Sequence, residues 1–138
     1  MPELERLTLL IVEFFEKLSS WEHGVVRDNG LSLPQMHTLE ILGIHSALRM
    51  KELAGKMGVT TGTLTVMVDR LEAAGLVRRR PHDTDRRSIL VELTSAGMEI
   101  FAEHDMQHNR LTADITSTLT DQEREVLEAA LEKMNREF

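Results

Sequence analysis

The stretch from Leu53 to Leu93 constrains this chain more than any other part of it. It sets out, in order, a short helix, a glycine-bearing turn, a threonine-rich helix and an arginine-flanked hairpin. Ala54 is small enough to let two helices cross closely, and Gly58, four residues on, suits a tight turn. Val59, Leu64 and Met67 supply an apolar core between the two helices, so the pattern predicts a helix-turn-helix. The second helix takes Thr60 as its N-cap and carries Leu64, Met67, Val68 and Leu71 at spacings of three and four, which fixes its buried face. Thr61, Gly62, Thr63 and Thr65 are left facing outward at its N-terminal end, with Arg70 further along. Hydroxyl side chains there can reach base edges, thymine methyls and phosphates, and a helix N-terminus favours a phosphate oxygen. Thr60 to Thr63 and Thr65 are therefore candidate DNA contacts.

Gly75 can close that helix in a left-handed cap. Leu76 to Arg80 then reads as a strand, Pro81 to Arg87 as a turn and Ser88 to Leu93 as the returning strand, with Ile89, Val91 and Leu93 alternating inward. Arg78 to Arg87 holds five arginines against two aspartates, Asp83 and Asp85, which makes the hairpin a wing, and Arg78, Arg80, Asp85, Arg86 and Arg87, with Arg70 on the helix, join the candidate DNA contacts. A planar guanidinium at a hairpin tip can insert into a narrow minor groove, and Asp85, two residues before Arg87, can hold that side chain in one pose.

These residues resemble the multiple-antibiotic-resistance-regulator (MarR) family of winged helix-turn-helix repressors. The matching phrases are Glu52-Leu53-Ala54, Thr63-Leu64-Thr65, Leu71-Glu72 with Gly75-Leu76-Val77, Asp85-Arg86-Arg87-Ser88, and Leu93-Thr94 followed by Gly97. They cover about the middle third of the chain. Arg49-Met50-Lys51 departs from the pattern, since the family often places a Ser or Thr cap there, and this leaves the start of that helix open.

Net charge is −7, an unexpected balance for a DNA binder until it is divided along the chain. Residues 60–92 carry six Lys/Arg against five Asp/Glu, whereas residues 93–138 carry four against ten. The positive charge sits at the wing, and the acidic C-terminal segment is expected to point away from phosphates. The absence of cysteine excludes disulfides, thiolate zinc ligands and a thiol-oxidation switch. No apolar run is long enough to span a bilayer and no cleavable secretory signal is recognisable, so the expectation is a cytoplasmic protein with no membrane partner.

Both ends of the chain read as long helices. Leu4, Leu7, Ile11, Phe14, Leu18 and Trp21 recur at alternating spacings of three and four, a seam more regular than a surface helix requires. Thr120-Asp121-Gln122-Glu123 is a capping box that precedes Val126, Leu127, Ala130, Leu131, Met134 and Phe138 on one face. Either these helices simply cover the core, or they build a homodimer, which symmetric operator halves favour and the resemblance implies. The expected fold class is mainly α with a small β-hairpin wing, a winged helix-turn-helix with long terminal dimerisation helices. Its parts are an N-terminal dimerisation helix over 1–31, a DNA-binding lobe over 32–93 and C-terminal dimerisation helices over 94–138.

A helix from near Thr94 and Gly97 to about Ser117 carries Phe101, Leu111 and Ile115, with His104 and His108 in the same series. His37 lies in a helix over Leu33 to Leu42 that Ser32 can cap and Pro34 can begin. Three readings of the histidines stay open. They are satisfied polar positions inside a helical dimer. Alternatively, Met36-His37-Thr38, the His104/His108 pair and Thr60-x-Gly62-Thr63 resemble the fatty-acid-synthesis repressor branch of the family. That resemblance implies a long-chain acyl group, free or on an acyl carrier protein, with Phe14, Phe15, Trp21, Met36 and Phe101 as apolar lining beside His37, His104 and His108. In the third reading, His37, Glu103, His104 and His108, with Glu22 or His23, resemble the zinc-uptake repressors of the family. No cofactor is required in the first two readings, and the acyl branch implies a corepressor where the commoner family habit is an inducer.

No nucleophile elbow, phosphate loop, dinucleotide fingerprint or His-Glu-x-x-His phrase occurs, so the chain is not expected to be an enzyme. A winged helix serving only as a protein-interaction module would present an apolar or acidic second helix. Here that helix presents threonines and is followed by arginines, which favours DNA.

Overall fold

The computed structural model describes residues 2–138. The elements run α1 (Pro2–Asp28), α2 (Leu33–His45), β1 (Leu48–Arg49), α3 (Met50–Met57), α4 (Thr61–Ala73), β2 (Val77–Pro81), β3 (Ile89–Leu93), α5 (Ser95–Ile115) and α6 (Asp121–Asn135). The chain divides into two compact units, residues 1–101 and 102–138, with the division inside α5. No helix among the described residues is long and apolar enough to cross a membrane.

In the first unit, local chemistry sets the helix ends. Ser32 and Gln35 close a reciprocal capping box on α2, with Pro34 in its first turn, and the helix continues to His45, three residues beyond the expected end. Gly58 ends α3 in the left-handed region at φ 68°, where a side chain would be strained, and Val59 N donates to Ala54 O. Gly75 does the same after α4 at φ 76°, and Leu76 N donates back to Leu71 O. Leu39, Leu42, Leu53, Ala54, Leu64, Val68, Leu71, Val77 and Val91 form one buried cluster. Truncating a core leucine such as Leu64 to alanine should cost about 2–5 kcal/mol.

The sheet has three antiparallel strands in the order β1-β3-β2, where two strands were expected. β1 is the two-residue segment whose role the sequence left open. Leu48 pairs with Val91 and Arg49 with Leu90, and Arg49 then caps α3, its amide donating to Glu52 Oε1. Burial along β3 corrects the expected alternation. Val91 is fully buried and Leu93 partly so, but Ile89 on the same face is half exposed, because it pairs with Pro81 at the far end of the hairpin, beyond the core. Leu90 on the other face is buried instead, with Arg49 and Arg80 as its register partners.

Two glycines mark close approaches in this unit. A Cβ at Gly97 would collide with the carbonyl oxygen of Leu76, which also accepts from Thr94 N, so the start of α5 lies directly against the α4–β2 turn. A Cβ at Gly43 would meet the Phe101 ring at 2.5 Å. α1 buries only Val26, and Leu4, Leu7, Leu9, Leu10, Ile11, Val12, Phe14 and Phe15 are all exposed. In the second unit, Thr120 and Glu123 form the capping box of α6, whose Val126, Leu127, Leu131 and Met134 are exposed.

Candidate nucleic-acid interface

The front of α4 is built by its own cap. Thr60 Oγ1 accepts from Thr63 N at 3.2 Å and donates to Thr63 Oγ1 at 3.0 Å, which leaves the Thr63 hydroxyl hydrogen to donate outward. Thr65 Oγ1 donates to Thr61 O at 2.7 Å, so its lone pairs face outward as an acceptor. Thr60, Thr61, Gly62, Thr63 and Thr65 are all exposed. Val66, on the same exposed side, was not singled out from the sequence and can meet a thymine methyl. An open groove beside it is lined by Ser32, Pro34, Gln35, Thr63, Val66, Met67 and Arg70, so the N-terminus of α2 flanks the recognition surface. Buried Thr38 ties the two helices, its hydroxyl donating to Pro34 O at 2.8 Å while its oxygen packs 3.0 Å from Met67 Sδ.

The wing arginines divide into two sets. Arg78 Nε donates to Glu92 Oε1 at 2.6 Å and Arg80 Nε to Glu92 Oε2 at 3.0 Å, so one carboxylate orients both side chains across the β2–β3 pair. The Arg80 bond, followed by Arg78, holds the Glu92 carboxyl below the usual glutamate range. Arg80 also reaches Asp83. Arg86 and Arg87, by contrast, are exposed and pair with no carboxylate among the described residues, as does Arg70 on α4. Their charge is available to an external anion.

Asp85 acts differently from the expectation. Its Oδ1 accepts from the backbone amide of Arg87 and its Oδ2 from Ser88 Oγ, each at 3.1 Å. It therefore fixes the backbone that carries Arg87 rather than the guanidinium, because a carboxylate two residues upstream is within reach of the amide in a tight turn. These two bonds, the amide first, lower its pKa.

Arg79, which stood outside the candidate set, joins the two halves of the interface. Its Nη2 donates to Asp69 Oδ1 at 2.6 Å, its Nη1 to Glu72 Oε1 at 2.8 Å and its backbone amide to Glu72 Oε2 at 2.9 Å. Both acids lie on α4, so β2 and the recognition helix are clasped together. Opposite charges ten and seven residues apart carry no local sequence signal.

The expected ligand residues are placed as follows. Phe14 and Phe15 are exposed on α1, Trp21 and Phe101 are half-buried, Met36 is fully buried and His37 is exposed on α2. His104 and His108 do come together, their Nε2 atoms 3.1 Å apart and their rings in a T-shaped contact. The metal set inferred from the sequence is not assembled as such. Among the described residues, no convergent group of three or more His, Asp or Glu side chains includes His37 or Glu103, both of which are exposed. His23 Nδ1 lies 2.7 Å from Ser19 O on its own helix.

A capped recognition helix locked to an arginine-tipped hairpin defines the winged helix-turn-helix class. A family model described as MarR family matches residues 31–89. The regulator YfiV of Bacillus subtilis is 41% identical over 71 residues, 51% of this chain and 44% of YfiV, so the aligned stretch spans less than half of that protein. The transcriptional repressor MdtR of the same organism is 32% identical over 124 residues, 90% of this chain and 79% of MdtR. The fold is similar to that of Streptococcus pneumoniae FabT, solved in complex with DNA. The TM-score is 0.85 at 23% identity, covering 96% of this chain and 95% of FabT. The chain belongs to the MarR family of DNA-binding transcriptional regulators.

Proposed function

We propose that this protein is a sequence-specific repressor that binds a pseudo-palindromic operator as a homodimer. The observation that carries the reading is the pairing, within one compact unit, of an exposed threonine-bearing front of α4 with the unpaired Arg86 and Arg87 of the wing. The Arg79 clasp fixes one against the other. A helix front of this kind reads base edges, and exposed guanidinium groups contact phosphate or a narrow minor groove. MdtR is named a repressor and FabT has been solved on DNA, both consistent with this role. A second copy of the chain is the natural cover for α1 and for α6, since contiguous exposed apolar faces of this kind are rare on monomers.

The test combines sedimentation with anisotropy titration of a labelled inverted-repeat duplex from the region upstream of the gene. A dimer that binds this duplex far more tightly than random DNA supports the reading. A monomer, or equal affinity for both duplexes, refutes it. The effector we infer is an acyl chain, free or on a carrier protein, an inference supported by the resemblance of Met36-His37-Thr38 and Thr60-x-Gly62-Thr63 to the fatty-acid branch. A long-chain acyl thioester should then shift operator affinity, and an unchanged affinity at saturating thioester rejects that effector.

A further inference from the structure

His82, in the loop between β2 and β3, is surrounded by hydrogen-bond donors. Its Nδ1 lies 3.2 Å from Thr84 N and 3.1 Å from Asp85 N, both backbone donors aimed at it. That nitrogen must therefore carry its lone pair, which places the single proton of the neutral ring on Nε2. The arrangement is that of a side chain capping the amides two and three residues on, with imidazole in place of the usual carboxylate or carboxamide. His82 N also donates to Ser88 O at 3.0 Å, and Ser88 N to Asp85 O at 3.1 Å. Ring and loop thus hand over to the Asp85 carboxylate, which holds the amide of Arg87. His82 sits at the head of the chain of bonds that shapes the wing tip.

The other edge of the ring faces Arg49, whose Nη2 is 3.3 Å from His82 Nε2. A guanidinium has no lone pair to offer, so with the ring proton on Nε2 two donors stand side by side from β1 and from the wing loop, and no acceptor among the described residues lies between them. A single anionic oxygen can accept from both. The charged groups near the ring are Arg49 from the end of β1 and Asp85 from the loop, with Asp83 next in sequence but engaged by Arg80. Asp85 is already occupied by Arg87 N and Ser88 Oγ.

We propose that neutral His82 is the positioning residue of the wing and, together with Arg49, receives one backbone phosphate oxygen of the operator. This rests on the DNA-binding reading above. Protonation at Nδ1 removes the acceptor for two amides and sets an imidazolium against the Arg49 guanidinium. Operator affinity should therefore be lower at pH 5.5 than at pH 7.5. A histidine that touched phosphate only as a cation would give the opposite sign, with affinity rising on acidification.

The experiment is an operator titration with the full-length protein at fixed salt, at pH 7.5 and pH 5.5, for wild type, His82→Asn, Arg49→Gln and the double variant. Asparagine keeps an acceptor in the place of Nδ1 that cannot be protonated in this range, and every other histidine is common to all four proteins. Losing two loop bonds should weaken wild-type binding on the order of tenfold between the two pH values, relative to His82→Asn. At pH 7.5 the His82→Asn and Arg49→Gln losses should be less than additive, because both donors serve one oxygen. A pH dependence in His82→Asn equal to that of wild type, or fully additive losses, overturns the proposal. Absence of wild-type binding at both pH values overturns the DNA-binding reading instead. If His82→Asn alone misfolds, His82→Asp, which keeps the acceptor as a carboxylate, replaces it with the same expected flat profile.

Discussion

Replacing Gly62 with alanine should separate the needs of the protein from those of its DNA. Gly62 occupies the second position of α4 with ordinary helical backbone, and the nearest atom to a Cβ built there is Thr60 Oγ1 at 3.9 Å. Nothing inside the molecule requires a glycine at this position. The alanine variant should be as stable as wild type or gain up to about 0.5–1 kcal/mol from the lower helix entropy cost. That gain would raise the melting temperature by roughly 2–5 °C at constant protein concentration. On DNA the sign should reverse. Gly62 lies between Thr61 and Thr63 on the surface that approaches the bases, and a methyl inserted into a close-packed contact costs about 1–3 kcal/mol. That corresponds to a loss of roughly five- to 150-fold in operator affinity. The assay is thermal denaturation alongside operator titration over several salt concentrations, since phosphate contacts set the salt slope and should not change. Unaltered affinity would show that Gly62 does not meet the groove. A fall in stability would show that the local geometry of α4 has been misread.

Arg87→Ala should lose about 1–3 kcal/mol of operator affinity while the dimer stays intact by sedimentation, and undiminished binding would place the wing tip away from DNA. Arg79→Met removes both ion pairs of the α4–β2 clasp. The acids are well exposed, at 60% for Asp69 and 41% for Glu72, so the loss should be only about 1 kcal/mol in urea denaturation, and an unchanged midpoint would reject the clasp. Glu92 titrates below its ordinary value of 4.5 because of Arg80 and Arg78. A lowered carboxylate pKa contributes stability that is present above the unfolded value and lost as pH falls through the folded one. Glu92→Gln should therefore flatten the loss of stability below about pH 4.5 in urea midpoints measured from pH 3 to 6, and parallel acid profiles for the two proteins would count against the pairing.

Elements whose causes are local were legible from residues alone. The caps at Ser32, Thr60 and Thr120 and the left-handed glycines 58 and 75 each depend on atoms within a few positions, and each is found where the pattern placed it. β1 was not legible, because two residues cannot show a period and its partner β3 lies about forty positions away. Ile89 shows the limit of alternation. The face was right, but how far the hairpin projects beyond the core is decided by tertiary packing. In the interface, the exposed threonines follow from helix periodicity, whereas the difference between paired Arg78, Arg79 and Arg80 and unpaired Arg86 and Arg87 depends on contacts with Glu92, Asp69 and Glu72. Charge counting sees five equivalent arginines in the hairpin where the structure has two kinds.

The clasp between Arg79 and the two acids of α4 bears on how such a scaffold can change its target. A reading segment bolted to its neighbouring ribbon cannot be exchanged as a free module. A transplanted segment that lacked Asp69 or Glu72 would sit loosely and blur whatever preference it brought. Drift toward a new target is thereby channelled into Thr61, Gly62, Thr63, Thr65 and Val66, exposed positions of α4 that lie outside the lock and flank the buried Leu64.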